Sequence, residues 1–150
     1  MDEIVFWIPG NTPSSKNSKI KSKNGIFASK TVKRYLRTLG IQSYSPSRKI
    51  ITKYKTIPYV LEDSFSLVKE KMELLLEKKK YPVVVEFHFV RQTKRAFDFN
   101  NITQIVQDIM VAADLVEDDD MNHLIPVPWK LKGRYFTVNK RYPGVLIRIT

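Results

Sequence analysis

The sequence predicts one α+β (mixed α/β) domain over residues 1–150, with a small mixed sheet and about three helices. Its 150 residues fit a single domain. Hydrophobic residues make up 43% of the chain, enough to form a real core. Apolar residues recur at strand spacing in some segments and at helical spacing in others, and no segment repeats. These observations exclude disordered and collagen-like chains.

The N-terminal third predicts a strand, a loop and a short helix. Residues 3–9 have the composition of a strand, and residues 10–24, rich in Pro, Ser, Asn and Lys, predict an exposed loop. Ser29 can cap a helix that ends at Gly40. Residues 42–58 are expected to be irregular and basic. The apolar stripe of this helix consists of Val32, Tyr35, Leu36 and Leu39.

A second helix and a central strand follow. Asp63 or Ser64 can cap the helix, and three lysines followed by Pro82 end it. Residues 83–90 form the strongest strand signal in the chain. His88 falls on one face of this strand, so we expect it to occupy a strand face rather than to bind a metal. The helix stripe contains Phe65, Val68, Met72, Leu75 and Leu76.

The last third predicts a third helix over residues 101–113 and then short strands. After Leu124 the strand pattern returns, with residues 134–138 and 145–149 as members and a Pro143-Gly144 turn between them. The helix carries Ile102, Ile105, Val106, Ile109 and Ala113 on its apolar face, and Asn101, Gln104 and Asp108 together on another.

The amino-acid composition limits which metal ligands the chain can offer and which cellular location we expect. The chain has no cysteine, and its two histidines are His88 and His123, so it offers few of the ligands that zinc prefers. Any metal is therefore expected to be bound by oxygen atoms. No apolar stretch approaches the roughly 20 residues that span a bilayer. Asp2 and Glu3 stand where a secretory signal would carry basic residues, so we expect a cytoplasmic protein outside the membrane.

Positive charge is concentrated at the N-terminus. Residues 1–60 contain twelve basic and two acidic residues, a net charge of +10 within a chain of +11. Such a segment suits a nucleic acid, although an anionic membrane surface or a solvated face would also fit. Its tyrosines, Tyr35 among them, could stack on exposed bases or belong to a core. We predict DNA contacts by Lys16, Lys19, Lys21, Lys23, Lys30, Lys33, Arg34 and Arg95.

Negative charge is concentrated in residues 96–129, which contain seven acidic residues and no Lys or Arg. A solvated helix end would explain this window, but its spacing also permits a metal site. Asp98 precedes the third helix and Asp119 follows it, and a chain that folds back along the helix could just bring the two together. A partner subunit could also supply the second group. Carboxylates beside a basic segment suit Mg²⁺.

The run FDFNNITQIVQDIMVAADLVEDDD, residues 97–120, resembles the RusA-type Holliday junction resolvases of bacteria and phages. That family carries Asp-x-Asp-Asn, a Lys three residues later, a helix with an internal Asp, and an Asp-Asp pair. The N-terminal FWIPGNTPSSKNSK and SKTVKRYL also look like phage members. The matching positions are Asp98, Asn101, Asp108, Asp118 and Asp119. Two positions depart from the pattern: Asn100 replaces the second Asp, and Gln104 replaces the Lys.

The resemblance implies a homodimeric, Mg²⁺-dependent endodeoxyribonuclease that cuts four-way junctions symmetrically in recombination and repair. Asp98, Asp119, Asn100 and Gln104 are its expected catalytic residues. A family member that binds DNA without cutting it remains an alternative, and so does a basic structural protein of a phage particle. Loss of one carboxylate at Asn100 would weaken Mg²⁺ binding, and Lys16 or Lys19 could replace the missing cation. The expected metal ligands are Asp98, Asp118, Asp119 and Asp120.

Overall fold

A computed structural model describes residues 3–14, 19–22, 25–28, 31–32, 34–35, 41–44, 50–52 and 59–150. For residues 19–22, 25–28, 41–44, 50–52, 59–64 and 112, only the backbone is described. Within these residues no helix is both long and apolar enough to cross a bilayer.

The centre of the fold is a mixed sheet of five strands. Its order is β1 (Ile4–Pro9), β9 (Gly144–Ile149), β6 (Val83–Arg91) and β7 (Leu124–Pro128), and β8 (Phe136–Val138) also pairs with β6. β9 runs antiparallel to both neighbours, whereas β7 and β8 run parallel to β6. The α+β class is therefore confirmed.

Two helices pack on one face of this sheet. α1 covers Tyr59–Lys78 and α2 covers Phe99–Ala112. Every second residue of the central strands faces them, because side chains alternate across a strand. The buried cluster joins α1 residues such as Met72 and α2 residues such as Ile105 to Phe87 of β6 and Ile147 of β9. On the opposite face of the sheet lie Trp7, His88 and Leu146, among others.

The helix boundaries differ from the predicted ones. α1 begins at Tyr59 rather than at Asp63 or Ser64, because acidic and small residues near a helix N-terminus are as compatible with its first turns as with its cap. α2 begins at Phe99, two residues earlier than expected. Of the predicted helix at 29–40, residues 31–32 and 34–35 are helical, and the rest lies outside the described residues.

Two N-terminal segments predicted to be irregular contain strands. β2 (Lys19–Ser22) pairs with β3 (Gly25–Ala28), and β4 (Ile41–Tyr44) pairs with β5 (Ile50–Thr52). These strands are three or four residues long, too short for an alternating hydrophobic pattern to stand out. The expectation of an exposed loop at 10–24 was also wrong at Thr12, which is 1% exposed.

The C-terminal third matches the prediction closely. β9 begins at Gly144, so this glycine belongs to a strand rather than to a turn. The turn before it is closed by Asn139, whose Oδ1 accepts hydrogen bonds from the backbone N–H groups of Arg141 and Tyr142. β8 is shorter than predicted because residues 131–134 form a tight turn of their own, with reciprocal backbone hydrogen bonds between Leu131 and Arg134.

Candidate functional site

Asp98 caps the N-terminus of α2. Its backbone is extended (φ −103°, ψ 120°), and its Oδ1 accepts a hydrogen bond from the backbone N–H of Asn100 at 3.0 Å. A carboxylate is favoured here because it pairs with an N–H group that has no partner within the helix and faces the positive end of the helix dipole. The side chains of Asp98 and Asn100 are both exposed. The cap therefore holds a carboxylate in place while leaving it open to solvent.

Gln104 joins two carboxylates. Its Nε2 donates to Asp108 Oδ1 and to Asp119 Oδ2, each at 3.2 Å. Asp108 lies one turn further along α2 and is 1% exposed, whereas Asp119 is half-buried. The contact with Asp119 spans fifteen positions of sequence, so it shows that the chain after α2 folds back along the helix as far as Gln104. The chain length allowed a return as far as Asp98, and the contact between Asp98 and Asp119 stays a prediction.

This fold-back brings Asp119 to the middle of α2. Gln104 is six residues beyond Asp98, about 9 Å along the helix axis. A long donor at Gln104 thus stands where the resemblance expects a lysine, between carboxylates that a cation would also bridge. Among the described residues, no three Asp, Glu or His side chains lie close enough together to hold a metal.

The two neighbours of Asp119 have separate partners. Asp118 Oδ1 accepts the backbone N–H of Asp119 at 2.7 Å. Asp120 Oδ1 pairs with Nδ1 of His123 at 2.7 Å. The hydrogen bond with His123 lowers the pKa of the Asp120 carboxyl, and the same bond raises the pKa of His123. His123 also lies 3.8 Å from Glu117 Oε2. Asp120 therefore stabilises the turn that follows Asp119.

No protein-family model matches the chain, and no curated protein matches it at significant similarity. The site is therefore interpreted from its own residues.

The start of the basic segment is tied to the strand that leads to Asp98. Arg91, the last residue of β6, donates from its guanidinium to the Thr12 carbonyl oxygen at 2.6 Å, and Gln92 N–H donates to Asn11 Oδ1 at 3.0 Å. Arg91 also lies 5.0 Å from the ring centre of Phe97, and burial lowers its pKa. These contacts fix the point from which the chain continues into its lysine-rich part.

The predicted DNA-binding residues are described only in part. Arg34 and Arg95 are exposed, and Arg95 lies three residues before Asp98. The backbones of Lys19 and Lys21 belong to β2. Lys16, Lys23, Lys30 and Lys33 lie outside the described residues. Of the two roles left open for Tyr35, the structure supports the core position, since the residue is 7% exposed and burial raises its pKa to about 12.

His88 occupies a strand face, as expected. It is 3% exposed, and its Nδ1 lies 2.8 Å from the Trp129 carbonyl oxygen. Because a carbonyl only accepts, Nδ1 carries the hydrogen, and Nε2 faces the Thr137 hydroxyl at 3.2 Å. His88 thus attaches the segment after β7 to the sheet.

Sequence reasoning missed a second basic segment. Residues 129–150 contain six Lys or Arg and no acidic residue. This excess was hidden because the acidic window cancels it in a sum over the last ninety residues. Aromatic side chains accompany it: Tyr135 is 59% exposed and Tyr142 is 64% exposed. Lys130 lies over the Tyr135 ring, and Arg141 over the Tyr142 ring.

Proposed function

We propose that the protein is a RusA-type, Mg²⁺-dependent endodeoxyribonuclease that resolves branched DNA by symmetric phosphodiester cuts. The observation that carries the proposal is the Gln104 bridge, which brings Asp119 back to α2, the helix that Asp98 caps. Two of the residues on which the family resemblance depends are thereby placed on one helix and its returning chain. The finer parts of the proposal, homodimerisation and a cytoplasmic location, follow from the resemblance and the composition.

The donor chemistry suits Mg²⁺. This ion is usually held by one or two carboxylates, with water and substrate phosphate completing its octahedral shell, so a cage of three acidic side chains is not required. Asp119 and Asp98 are the proposed principal ligands, and Asp118, Asp120 and the Asn100 amide oxygen are auxiliary. When bound, Mg²⁺ would activate the attacking water and stabilise the leaving oxygen.

The chain's own residues then have distinct tasks. Gln104 orients Asp119, because an amide that donates to both Asp108 and Asp119 restricts the rotation of the Asp119 carboxylate. Arg95, which is exposed three residues before Asp98, is the residue we assign to bind a phosphate next to the cut. Positive charge in residues 1–60 attracts the DNA and offsets the −7 of the acidic window.

Cleavage of a synthetic four-way junction, measured with and without Mg²⁺, tests the proposal. Nicks at two symmetric positions that require the metal would support a resolvase. Junction binding without cleavage at any Mg²⁺ concentration would favour the alternative that the protein only binds DNA. A structural phage protein would show no preference for the junction over a linear duplex of the same sequence.

A salt titration of binding gives a second readout. If several phosphates are neutralised, the logarithm of the association constant should fall linearly with the logarithm of salt concentration, with a slope of about −0.9 for each phosphate contacted. A flat response would contradict the role given to the basic segment.

A further inference from the structure

A cleft of about 560 Å³ lies on the face of the sheet opposite α1 and α2. Its floor includes Trp7 of β1, Val90 of β6 and Leu146 of β9. Lys132 and Arg134, both exposed, line its rim. The volume is within the range of small-ligand sites, and none of its lining residues in the described part of the chain is acidic. An apolar floor with a cationic rim matches a nucleotide, which combines a flat base with a phosphate.

The rim is built by a tight turn. Lys132 and Gly133 both have positive φ, 48° and 78°, which is the conformation of a two-residue type I′ hairpin turn. Glycine adopts it freely, whereas at lysine it costs energy. Lys132 thus occupies a backbone conformation that is unfavourable for lysine, at a position where its charge lines the cleft.

β8 connects the cleft to the candidate active site. Thr137 lines the cleft, while its neighbour Phe136 points to the other face and packs edge-on against Phe97, at 5.0 Å between ring centres. Phe97 directly precedes Asp98. The two sites therefore lie on opposite faces of the sheet beside the same strand, which pairs with β6 alone among the described strands.

We propose that this cleft binds an unpaired nucleotide of the branched DNA, with the base against Trp7 and the phosphate at Lys132 and Arg134. The inference rests on the proposed function, because it takes the same DNA as the ligand. Such a cleft would also favour branched DNA over a linear duplex. A base at a branch point is already unstacked or easily unstacked, whereas a base in a continuous duplex must first be extruded. Tyr135, which follows Arg134 in the chain, and Tyr142 offer exposed rings on which further bases can stack.

Photocrosslinking of the wild-type protein tests the cleft without risk to folding. An oligothymidylate carrying one 5-iodouracil is irradiated with the protein in EDTA, and the adducts are located by mass spectrometry of tryptic peptides. Trp7 lies in the peptide 1–16, apart from Tyr135 and Tyr142. An adduct at Trp7 is expected. Adducts only elsewhere, or none, would overturn the cleft as a base-binding site.

Charge variants test the rim. Lys132→Ala/Arg134→Ala should weaken binding of a labelled four-way junction about 10-fold in EDTA and make the salt dependence shallower by roughly one to two phosphate contacts. Lys71→Ala/Lys80→Ala is the matched control, since it removes two exposed charges at or near α1 and should change affinity less than 2-fold. Equal losses in the two double variants would overturn the proposal.

A charge-only competitor identifies the ligand class. Polyglutamate should displace the oligothymidylate far less well than unlabelled DNA at equal charge concentration. Equal displacement would indicate a general polyanion surface, such as one for an acidic protein, and would overturn the nucleotide assignment. All these binding measurements are made without metal, so they are independent of the cleavage assay with Mg²⁺. A Trp7 adduct in a protein that never cuts the junction would contradict the proposed nuclease activity alone. Cutting by a protein that gives no Trp7 adduct would contradict the cleft alone.

Discussion

Removal of the Gln104 amide should destabilise the fold and remove one of the contacts that hold Asp119. A hydrogen bond from an amide to a carboxylate contributes about 1.5–3 kcal/mol when buried. Both bonds here are 3.2 Å, the long end of the N–H···O range, and Asp119 is half-exposed, so their combined contribution is nearer the lower end. We therefore expect Gln104→Ala to lower the free energy of unfolding by about 2 kcal/mol, much of it because Asp108 would lose a donor.

Urea unfolding followed by far-ultraviolet circular dichroism measures this change. With a denaturant slope of about 2 kcal/mol per molar, 2 kcal/mol shifts the midpoint by about 1 M. Gln104→Lys should unfold at or above the wild-type midpoint, since an ammonium between two carboxylates replaces the amide with a charge. Gln92→Ala, at an exposed glutamine, is the control and should shift the midpoint by less than about 0.3 M. A midpoint for Gln104→Ala equal to that of the control would refute the bridge.

The stability of a Gln104→Glu variant should depend on pH if Gln104 lies between the two carboxylates. A glutamate introduced at position 104, beside Asp108 and Asp119, should have its own pKa raised in the folded protein by the neighbouring carboxylates. Folding then takes up protons, so this variant should gain stability relative to the wild type as the pH falls from 7 toward 4. A stability difference that does not change with pH would contradict the proximity of these three side chains.

Three further outcomes are expected. Gly144→Ala should cost about 1–3 kcal/mol in urea unfolding, because its Cβ would overlap the Trp7 ring and lie 2.7 Å from the Ile8 carbonyl oxygen. In an NMR titration His123 should show a pKa above its usual 6.5, and Asp120→Asn should lower it, so the stabilisation from this pair is lost as the pH rises through the His123 pKa. Asn100→Asp should reduce the Mg²⁺ concentration needed for half-maximal cleavage, by restoring a charged oxygen ligand; an unchanged requirement would place Asn100 outside the metal shell.

The central strand of the sheet and α2 could be predicted from the sequence because their apolar residues recur clearly at strand and helical spacing. Alternation in residues 83–90 identified β6, and helical spacing alone placed Gln104 and Asp108 on one polar face, where their hydrogen bond forms. The fold-back of Asp119 was predictable as a possibility from chain length, but its contact with Gln104 depends on tertiary packing that no local pattern encodes.

The features that the sequence analysis missed were short strands and a basic segment whose charge was offset by nearby acidic residues. The β2–β3 hairpin had a usable signal, since the Asn24-Gly25 dipeptide favours a tight hairpin turn. The basic segment after Trp129 was hidden by summing charge over too long a range. The cleft at Trp7 could not be found from sequence, because its residues come from both ends and the middle of the chain and meet only in the folded sheet.

Single-turnover cleavage of a four-way junction by the wild type, Asp98→Asn and Asp119→Asn tests the central claim most directly. We expect Mg²⁺-dependent cutting by the wild type. Both variants should lose cutting while they retain or tighten junction binding, because each change removes the negative charge of a principal metal ligand near the phosphate. Cutting by both variants at the wild-type rate would contradict the assignment of these carboxylates as the metal ligands of a nuclease.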